Sequence, residues 1–429
     1  MSTDPLSWLD ERAAERVDAG LRRQLRVRAA ESPAIDLASN DYLGLVRHPE
    51  VIEGAIAAVR RWGAGSTGSR LVTGTTAEHA LLEAELAEFV GAETGLVFAS
   101  GYAANLGAVT ALAGRGTLVV SDAGSHASLV DACRLSRARV EIAPHRDVAA
   151  VERLLAERTE ERALVLTDSV FSADGDLAPL AELHRVTRAN GAILIVDEAH
   201  GLGVRGEGGR GLVHEAGLAG ESDLVVTATL SKAFAAQGGA VLADARIRAH
   251  LIDAARTFIF DTGLAPAAVG AARAALGLLR RDPAMAARVL ARAADIARIA
   301  GVPEPDSAVV SVVLGEAQLA FDAAQACRER GLDVGCFRPP SVPEGTSRLR
   351  LTARANLTPA DLATISEVLA EVLANARGRE TVTDGEGVAN TSGTGAVAGD
   401  KVFADVSGTG PTTAGDGLAN VRGTAAVSA

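Results

Sequence analysis

The fold is decided by the stretch AILIVDEAH, residues 192–200. Its first five residues are apolar, and the polar side chains of Asp197, Glu198 and His200 follow. A short continuous apolar run is typical of a strand that is buried on both faces, as strands of parallel sheets are. Ligands bind at the carboxyl ends of such strands. The stretch therefore predicts a buried strand with functional side chains at its carboxyl end.

Similar apolar runs lie on both sides of this stretch and alternate with helical patterns. The predicted strands are 95–99, 117–121, 139–142, 163–167, 192–196 and 223–228. The predicted helical segments between them are 103–113, 126–136, 147–158 and 179–189. Strands that alternate with helices form an α/β domain with a mainly parallel, doubly wound sheet. We expect that fold class here.

Four regions are expected along the chain. Residues 1–45 predict an N-terminal arm, helical over 5–31, and a segment of a small domain, and residues 46–275 predict the large α/β domain. Residues 276–378 predict a smaller C-terminal α+β lobe that begins with long helices rich in Ala, Leu and Arg. Residues 379–429 are rich in Gly, Thr, Ser and Ala. They predict a disordered tail, because they bury too little apolar surface to offset the entropy of ordering.

Composition and charge exclude several classes of protein. The net charge is −12, which argues against nucleic acids and anionic membranes as partners, since both require a basic face. Three cysteines are too few for a disulfide framework and indicate a reducing compartment. The first residues do not resemble a signal peptide, and no apolar stretch approaches the ~20 residues that span a bilayer. We expect a soluble cytoplasmic protein, and no metal site is predicted.

Lysine is rare in this chain, because only two of its 42 Lys and Arg residues, Lys232 and Lys401, are lysine. A guanidinium can replace an ammonium as a charge, but it cannot lose its proton. Lys232 directly follows a predicted strand, whereas Lys401 lies in the predicted tail. A lysine at a strand end, in a chain that otherwise uses arginine, indicates that the site needs a deprotonatable amine, as in Schiff-base chemistry. The alternative is that two lysines remain at random positions in an arginine-rich composition.

Lys232 and Asp197 follow consecutive predicted strands. Neighbouring strands lie about 5 Å apart, so both side chains can face one small ligand. A Schiff-base lysine with an acid for a pyridinium nitrogen is the pattern of pyridoxal phosphate enzymes. A surface Asp and His that cap a helix are the alternative interpretation of residues 197–200. Nucleic-acid helicases share Asp-Glu-Ala-His, but they need a phosphate loop ending in Gly-Lys-Ser/Thr, which neither lysine has here.

Further polar clusters follow other predicted strands. Residues 100–105 begin a helix with small residues, which favours phosphate binding, and Thr229 can add a hydroxyl. His126 is expected to lie over a cofactor ring, with a helix-capping or core histidine as the alternative. Ser172 is expected to reach the ring edge.

The C-terminal lobe contains one candidate substrate-binding strand, residues 347–352. Arg348 and Arg350 share one face of it, and one of them is expected to bind a substrate carboxylate. Paired surface charges are the alternative.

Taken together, these motifs resemble those of the α-oxoamine synthases, which are fold-type I pyridoxal phosphate enzymes. The resemblance covers residues 5–377. The motifs that carry it follow the family's order: 40–44 (NDYLG), 65–70 (GSTGSR), Gly101-Tyr102, His126, 197–200 (DEAH), 229–232 (TLSK) and 347–352 (SRLRLT).

The resemblance implies a catalytic set and a binding set. Lys232 would hold pyridoxal 5′-phosphate as a Schiff base, and Asp197 would pair with the pyridine nitrogen. His200 would approach the phenolic oxygen, and His126 would stack on the ring. The remaining implied cofactor-binding residues are Gly101, Tyr102, Ser172 and Thr229. The implied substrate-binding residues are Arg22, His126, Arg350 and Thr352.

The resemblance also implies a reaction. The family member that the chain most resembles is an acyltransferase of biotin biosynthesis, which joins L-alanine to a pimeloyl thioester with loss of CO₂ and works as a homodimer.

Glycine C-acetyltransferase and 5-aminolevulinate synthase are the alternatives within the family. An aminotransferase fits less well, because its substrate-arginine context is missing. A non-catalytic subunit would have lost the lysine. The chain departs from the family pattern at Ala235, Asp261 and residues 353–357.

Overall fold

A computed structural model describes residues 4–383. The N-terminal arm is helical only in α1 (Ser7–Asp18), so the prediction of a helix over 5–31 is wrong beyond Asp18. Gly20 has φ 65°, a left-handed conformation that ends a helix. Residues 19–34 form neither helix nor strand.

The larger sheet has seven strands in the order β2-β8-β7-β6-β5-β3-β4. The strands are β2 (Thr94–Phe98), β3 (Thr117–Asp122), β4 (Arg139–Ala143), β5 (Arg162–Asp168), β6 (Ile193–Asp197), β7 (Leu224–Thr229) and β8 (Gly239–Ala243). All six predicted strands are confirmed. The seventh, β8, was not predicted, and it pairs antiparallel with both β2 and β7. The other strands run parallel to one another, which confirms a mainly parallel sheet.

Helices cover both faces of this sheet. The helices of this part of the chain are α2 (Pro49–Trp62), α3 (Ala77–Val90), α4 (Gly101–Leu112), α5 (Ala127–Ser136), α6 (Val148–Ala156), α7 (Leu180–Ala189), α8 (Leu212–Glu215), α9 (Ala245–Ala254), α10 (Arg256–Ile259) and α11 (Pro266–Arg281). The next helix, α12 (Ala284–Ala300), packs against the C-terminal lobe. Alternate residues of β6 enter two separate hydrophobic cores, Ile195 in one and Leu194 and Val196 in the other. The sheet is therefore buried on both faces, as its apolar runs indicate.

A second sheet contains four strands in the order β1-β10-β11-β9. They are β1 (Ile35–Leu37), β9 (Val309–Gly315), β10 (Leu332–Phe337) and β11 (Ser347–Thr352), with α13 (Ala317–Glu329) and α14 (Pro359–Thr383) beside them in the sequence. β1 pairs in parallel with β10, so the N-terminal region adds a strand to this sheet. The domain boundaries at 45/46 and 275/276 stay predictions.

The last helix, α14, enters the segment predicted to be disordered, and the remainder of that segment, 384–429, lies outside the described residues. Among the described helices, none combines the length and the hydropathy that crossing a membrane would require.

One histidine joins three loops at the carboxyl end of the larger sheet. His145, after β4, bonds through Nδ1 to Asp122 Oδ1 at 2.8 Å and through Nε2 to Asp176 Oδ2 at 2.8 Å. These two hydrogen bonds raise the pKa of His145 to about 9. The loop after β3 leads to His126, and the loop after β5 contains Ser172. The protonated His145 side chain therefore connects the loop that leads to His126 with the loop that contains Ser172.

Replacing His145 with Gln should lower the free energy of unfolding in a pH-dependent way. Folding raises the pKa of this histidine, so its stabilisation is complete below about pH 6.5 and is lost as the pH rises through about 9. Because the side chain is 42% exposed, we expect a loss of about 1 kcal/mol at low pH. Urea unfolding of wild type and H145Q on both sides of this range measures it.

The matched control is H250Q, since His250 bonds the backbone carbonyl of Ala111 and forms no ion pair among the described residues. The loss expected for H145Q at low pH should not appear in H250Q. A loss in H145Q that is equal at all pH values would contradict the ion-pair assignment.

Candidate active site

Three neighbouring parallel strands, β5, β6 and β7, bring the polar strand ends together. Asp168 at the end of β5 is in register with Asp197 at the end of β6. The turn after β7 places Lys232 beside them, with its Nζ 2.8 Å from His200 Nε2. The structure thus gathers Asp197, His200 and Lys232 at one edge of the sheet.

The Lys232 amine has lost most of its surrounding water. Its pKa is lowered to about 8, mainly by burial and also by the positive charge of Arg350, whereas Asp197 and Asp168 limit the shift. Schiff-base formation and proton abstraction both need the neutral amine. At slightly alkaline pH a large fraction of Lys232 is therefore in the reactive form.

A hydrogen-bonded chain extends from Lys232 into the protein. His200 Nδ1 bonds the hydroxyl of Tyr42, which also donates to Asn40 Oδ1 at 3.3 Å. Burial holds the pKa of His200 well below its usual value, and Lys232 and Arg350 add to this effect. Because Tyr42 has a single proton and donates it to Asn40, the one N–H of a neutral His200 lies on Nδ1 and donates to Tyr42. His200 Nε2 then accepts from Lys232 Nζ.

Tyr42 and Asn40 belong to the NDYLG motif, and no individual role was predicted for either residue. Tyr42 is fully buried, and burial raises its pKa. Two further buried residues were missed. Asn105 donates to Asp197 Oδ2 at 2.7 Å, and Asp168 accepts from the backbone N–H of His126 at 2.9 Å. Asp168 was detectable as the polar residue directly after the predicted strand 163–167, whereas the only signal for Asn105 is a polar residue in an apolar helix.

Asp168 and Asp197 differ in their surroundings. Burial, and next the charge of Asp197, raise the pKa of Asp168 well above its usual value. Asp197 accepts from the N–H of Ala199 at 2.8 Å as well as from Asn105. Of the two carboxyl groups, Asp197 is therefore the candidate to face a cationic ring nitrogen, because these two donors hold it in place.

Arg350 has one buried N–H group without a partner. Its Nε donates to the carbonyl of Ser172 at 2.6 Å, and Nη1 donates to Asn40 Oδ1 at 2.9 Å and Thr352 Oγ1 at 3.0 Å. Nη2 has no hydrogen-bond partner among the described residues. A buried unpaired donor is costly, and a substrate carboxylate would satisfy it.

The alternative of paired surface charges on β11 is wrong, because Arg348 and Arg350 are 5% and 3% exposed. Arg348 forms an ion pair with Asp174 after β5. Its guanidinium is therefore already neutralised by the protein, and Arg350 remains as the candidate for the substrate carboxylate.

The start of α4 is the candidate phosphate site. Ser100 caps the helix by accepting from the N–H of Ala103 at 3.0 Å. A Cβ added to Gly101 would lie 3.0 Å from the Thr229 Cβ, so the helix start packs directly against β7. Thr229 Oγ1 lies 2.7 Å from Ser231 Oγ. Free N–H groups of the first turn and these hydroxyls suit a phosphate.

Tyr102 and His126 occupy the open side of the cluster. Tyr102 is 46% exposed and donates to Asp131 Oδ2 on α5 at 2.6 Å. The His126 ring caps α5, because Nδ1 accepts from the N–H of Ser128 at 3.2 Å. The helix-capping interpretation is therefore correct, and the same ring also lies within the electrostatic reach of Asp197 and Lys232.

Arg22 is the one predicted site residue that the structure leaves apart. It is exposed, and within residues 4–383 no hydrogen bond or ion pair joins it to the cluster. The other predicted residues fit pyridoxal phosphate, since a carboxylate, a buried amine and an anion-binding helix start converge on one edge of the sheet.

The pKa of Lys232 is directly measurable because the chain has only one other lysine, Lys401. Amine acetylation of the cofactor-free protein should rise with a midpoint near pH 8 at Lys232, since burial destabilises the ammonium form. Mass spectrometry of both lysine-containing peptides over a pH series measures this. A midpoint at Lys232 above about pH 10, the ordinary lysine value, would contradict the burial argument.

The comparisons with known proteins agree with this geometry. The model of the family described as aminotransferase class I and II matches residues 32–369. An 8-amino-7-oxononanoate synthase of Mycobacterium sp. (strain JLS) is 67% identical over 374 residues, which cover 87% of this chain and 98% of the relative. The enzyme of the same name from Mycolicibacterium smegmatis is 64% identical, with the same shares covered.

Two solved structures show the same fold. A serine palmitoyltransferase from Sphingomonas wittichii is 31% identical with a TM-score of 0.82, covering 88% of this chain and all of that one. An 8-amino-7-oxononanoate synthase from Francisella tularensis is 27% identical with a TM-score of 0.69, covering 81% of this chain and 99% of that one. The fold-type I prediction is confirmed. The chain belongs to the aminotransferase class I and II family and, within it, to the 8-amino-7-oxononanoate synthases.

Proposed function

We propose that this chain condenses L-alanine with a pimeloyl thioester to give 8-amino-7-oxononanoate, CO₂ and free thiol, a step of biotin biosynthesis. Relatives that carry the name of this activity are 64–67% identical over 87% of the chain. In the structure, the unpaired Nη2 of Arg350 near the Lys232 amine carries the proposal. This nitrogen can bind the carboxylate of an amino acid, and the Lys232 amine next to it can act as the base.

The chain is a pyridoxal-phosphate-dependent acyltransferase. When bound, pyridoxal phosphate supplies an electron sink for the electron pair left on the amino acid's Cα. We assign Lys232 to its covalent attachment, Asp197 to its pyridine nitrogen and His200 to its phenolic oxygen. His126 is assigned to the face of the ring. Gly101, Tyr102, Ser172 and Thr229 complete the assigned cofactor site.

The proton chemistry is assigned to Lys232. With Arg350 holding the carboxylate of L-alanine, the nearby amine of Lys232 is the group assigned to accept the Cα proton. Because the pKa of Lys232 is about 8, the amine can accept this proton near neutral pH and return it later. Thr352 accepts from Arg350 Nη1 and so orients the guanidinium. Arg22 is proposed to contact the acyl substrate from the N-terminal arm.

The alternative is a sibling reaction of the same family, glycine with an acetyl thioester or glycine with a succinyl thioester. The fold also occurs in serine palmitoyltransferases, so fold alone does not select the amino acid. The higher identity to the 8-amino-7-oxononanoate synthases favours L-alanine. A homodimer in the cytoplasm is part of the proposal.

Replacing Lys232 with Arg should abolish product formation from L-alanine and a pimeloyl thioester. The substitution keeps the positive charge but removes the deprotonatable amine. We expect kcat to fall by at least about 10³-fold, within the range for loss of a catalytic proton-transfer group. Release of CO₂ and of free thiol, with pimeloyl-CoA and pimeloyl carrier protein tested separately, measures the activity.

K401R is the matched control, because it changes the other lysine in the same way, and it should retain activity. Wild-type protein that turns over glycine with an acetyl or succinyl thioester, but not L-alanine, would contradict the proposed substrate. Retained turnover in K232R would contradict the assigned catalytic amine.

Replacing Arg350 with Lys should raise the KM for L-alanine. Lysine cannot make the forked contact of a guanidinium with a carboxylate. Loss of one partner of a buried charged pair costs about 3 kcal/mol, or about 100-fold in kcat/KM. Steady-state kinetics with varied L-alanine at a saturating thioester concentration measures it. R348K is the control, since Arg348 already pairs with Asp174, and an equal rise in KM there would contradict the assignment.

A further inference from the structure

The side chain of Asn105 is a buried junction between two predicted site residues. It is 2% exposed, and the other buried residues of α4 are apolar or glycine. Its Nδ2 donates to Asp197 Oδ2 at 2.7 Å and to Ser128 Oγ at 2.8 Å, and its Oδ1 accepts from Thr227 Oγ1 at 2.6 Å. An amide has two donor hydrogens, and both have a partner here.

The carboxylate of Asp197 sets the orientation of this amide. In the flipped orientation, Oδ1 of Asn105 would face Asp197 and two acceptors would repel each other. The hydroxyl of Thr227 would then face an NH₂ group, which it can meet only as an acceptor. The observed orientation satisfies every donor and acceptor, so the direction of the hydrogen bonds through Asn105 is defined.

This direction continues to His126. Ser128 Oγ accepts from Asn105, so its own proton is free to be donated to His126 Nδ1 at 2.7 Å. The backbone N–H of Ser128 also donates to Nδ1, at 3.2 Å. An Nδ1 that accepts from two donors has no proton of its own, so the proton of a neutral His126 lies on Nε2.

We propose that Asn105 is a positioning residue, which orients the Asp197 carboxylate and, through Ser128, holds His126 as the neutral Nε2–H tautomer. The inference rests on the proposed function, in which Asp197 and His126 contact the cofactor ring. The Asn105 amide then sets the orientation of the carboxylate at the ring nitrogen. It also sets the protonation of His126, which stacks on the ring. In a separate observation, burial lowers the pKa of His126 and Lys232 lowers it further, with Asp197 and Asp131 opposing.

A core-filling role does not account for this residue. A buried amide costs free energy unless its groups are paired, and an apolar side chain would fill the same space in α4 without that cost. The three bonds of Asn105 instead connect α4 with β6, β7 and α5. All four elements surround the candidate active site.

Solid-state ¹⁵N NMR of the full-length holoenzyme with ¹⁵N-labelled histidine tests the proposal. The chain has 8 histidines, and an H126Q sample assigns the His126 signals. At neutral pH, wild type should show an unprotonated Nδ1 and a protonated Nε2 on His126. A proton on Nδ1, or an imidazolium, would overturn the proposal without any further variant.

Two variants separate the hydrogen bond from Asn105 to Asp197 from the path that runs through Ser128 to His126. In N105D the new carboxylate has no proton for Asp197 and attracts the Ser128 hydroxyl, so the His126 signals should move toward the imidazolium form. We expect kcat to fall about 100-fold, the scale on which displaced catalytic groups act, with little change in the KM for L-alanine. S128A keeps the bond from Asn105 to Asp197, so it should move the His126 signals with a smaller loss of kcat.

T110A is the control, because Thr110 lies on the same helix and, among the described residues, its side chain bonds only the carbonyl of Leu106. It should leave the His126 signals and kcat unchanged. Unchanged His126 signals in both N105D and S128A would overturn the proposal. These signals do not depend on turnover, so a protein that shows the Nε2–H tautomer but fails to convert L-alanine contradicts the proposed function and leaves the inference on Asn105 standing.

Discussion

The burial of one amine, that of Lys232, is the constraint on which the rest of the site depends. Taking an ammonium out of water favours its neutral form, and the pKa falls to about 8. Two carboxyl groups, Asp197 and Asp168, limit the fall, whereas Arg350 adds to it. The balance depends on β5, β6 and β7 being neighbours, because their common carboxyl edge sets the distances between these charges.

The second determinant is the contact between the two sheets. Arg350 lies on β11 of the smaller sheet, yet it donates to Ser172 after β5 and to Asn40 after β1. Arg348 on the same strand pairs with Asp174 after β5. Both arginines therefore tie the smaller sheet to a loop of the larger one. The position of Arg350 relative to Lys232 follows from this contact.

The local sequence pattern was sufficient to predict those elements whose own residues indicate their structure. The six apolar runs predicted six strands, because burial on both faces requires continuous apolar sequence. The same pattern missed β8, since Gly239–Ala243 follows β7 with no helix between them and so breaks the alternation of strands and helices. His126 shows another limit, because the capping and site interpretations excluded each other on sequence grounds, whereas one ring nitrogen caps α5 while the ring lies near Lys232.

The sequence alone determined the elements and the chemistry at their ends: a mainly parallel α/β fold, an amine at Lys232, an acid at Asp197 and the resemblance to pyridoxal phosphate enzymes. Only the tertiary structure decided the partners. The insertion of β8 between β2 and β7, the meeting of Asn105 with Asp197, and the separation of Arg22 from the cluster all involve residues far apart in the chain. Periodicity reports which face of an element is buried, but pairing is selected by the packing of whole elements against one another, and no local signal specifies it.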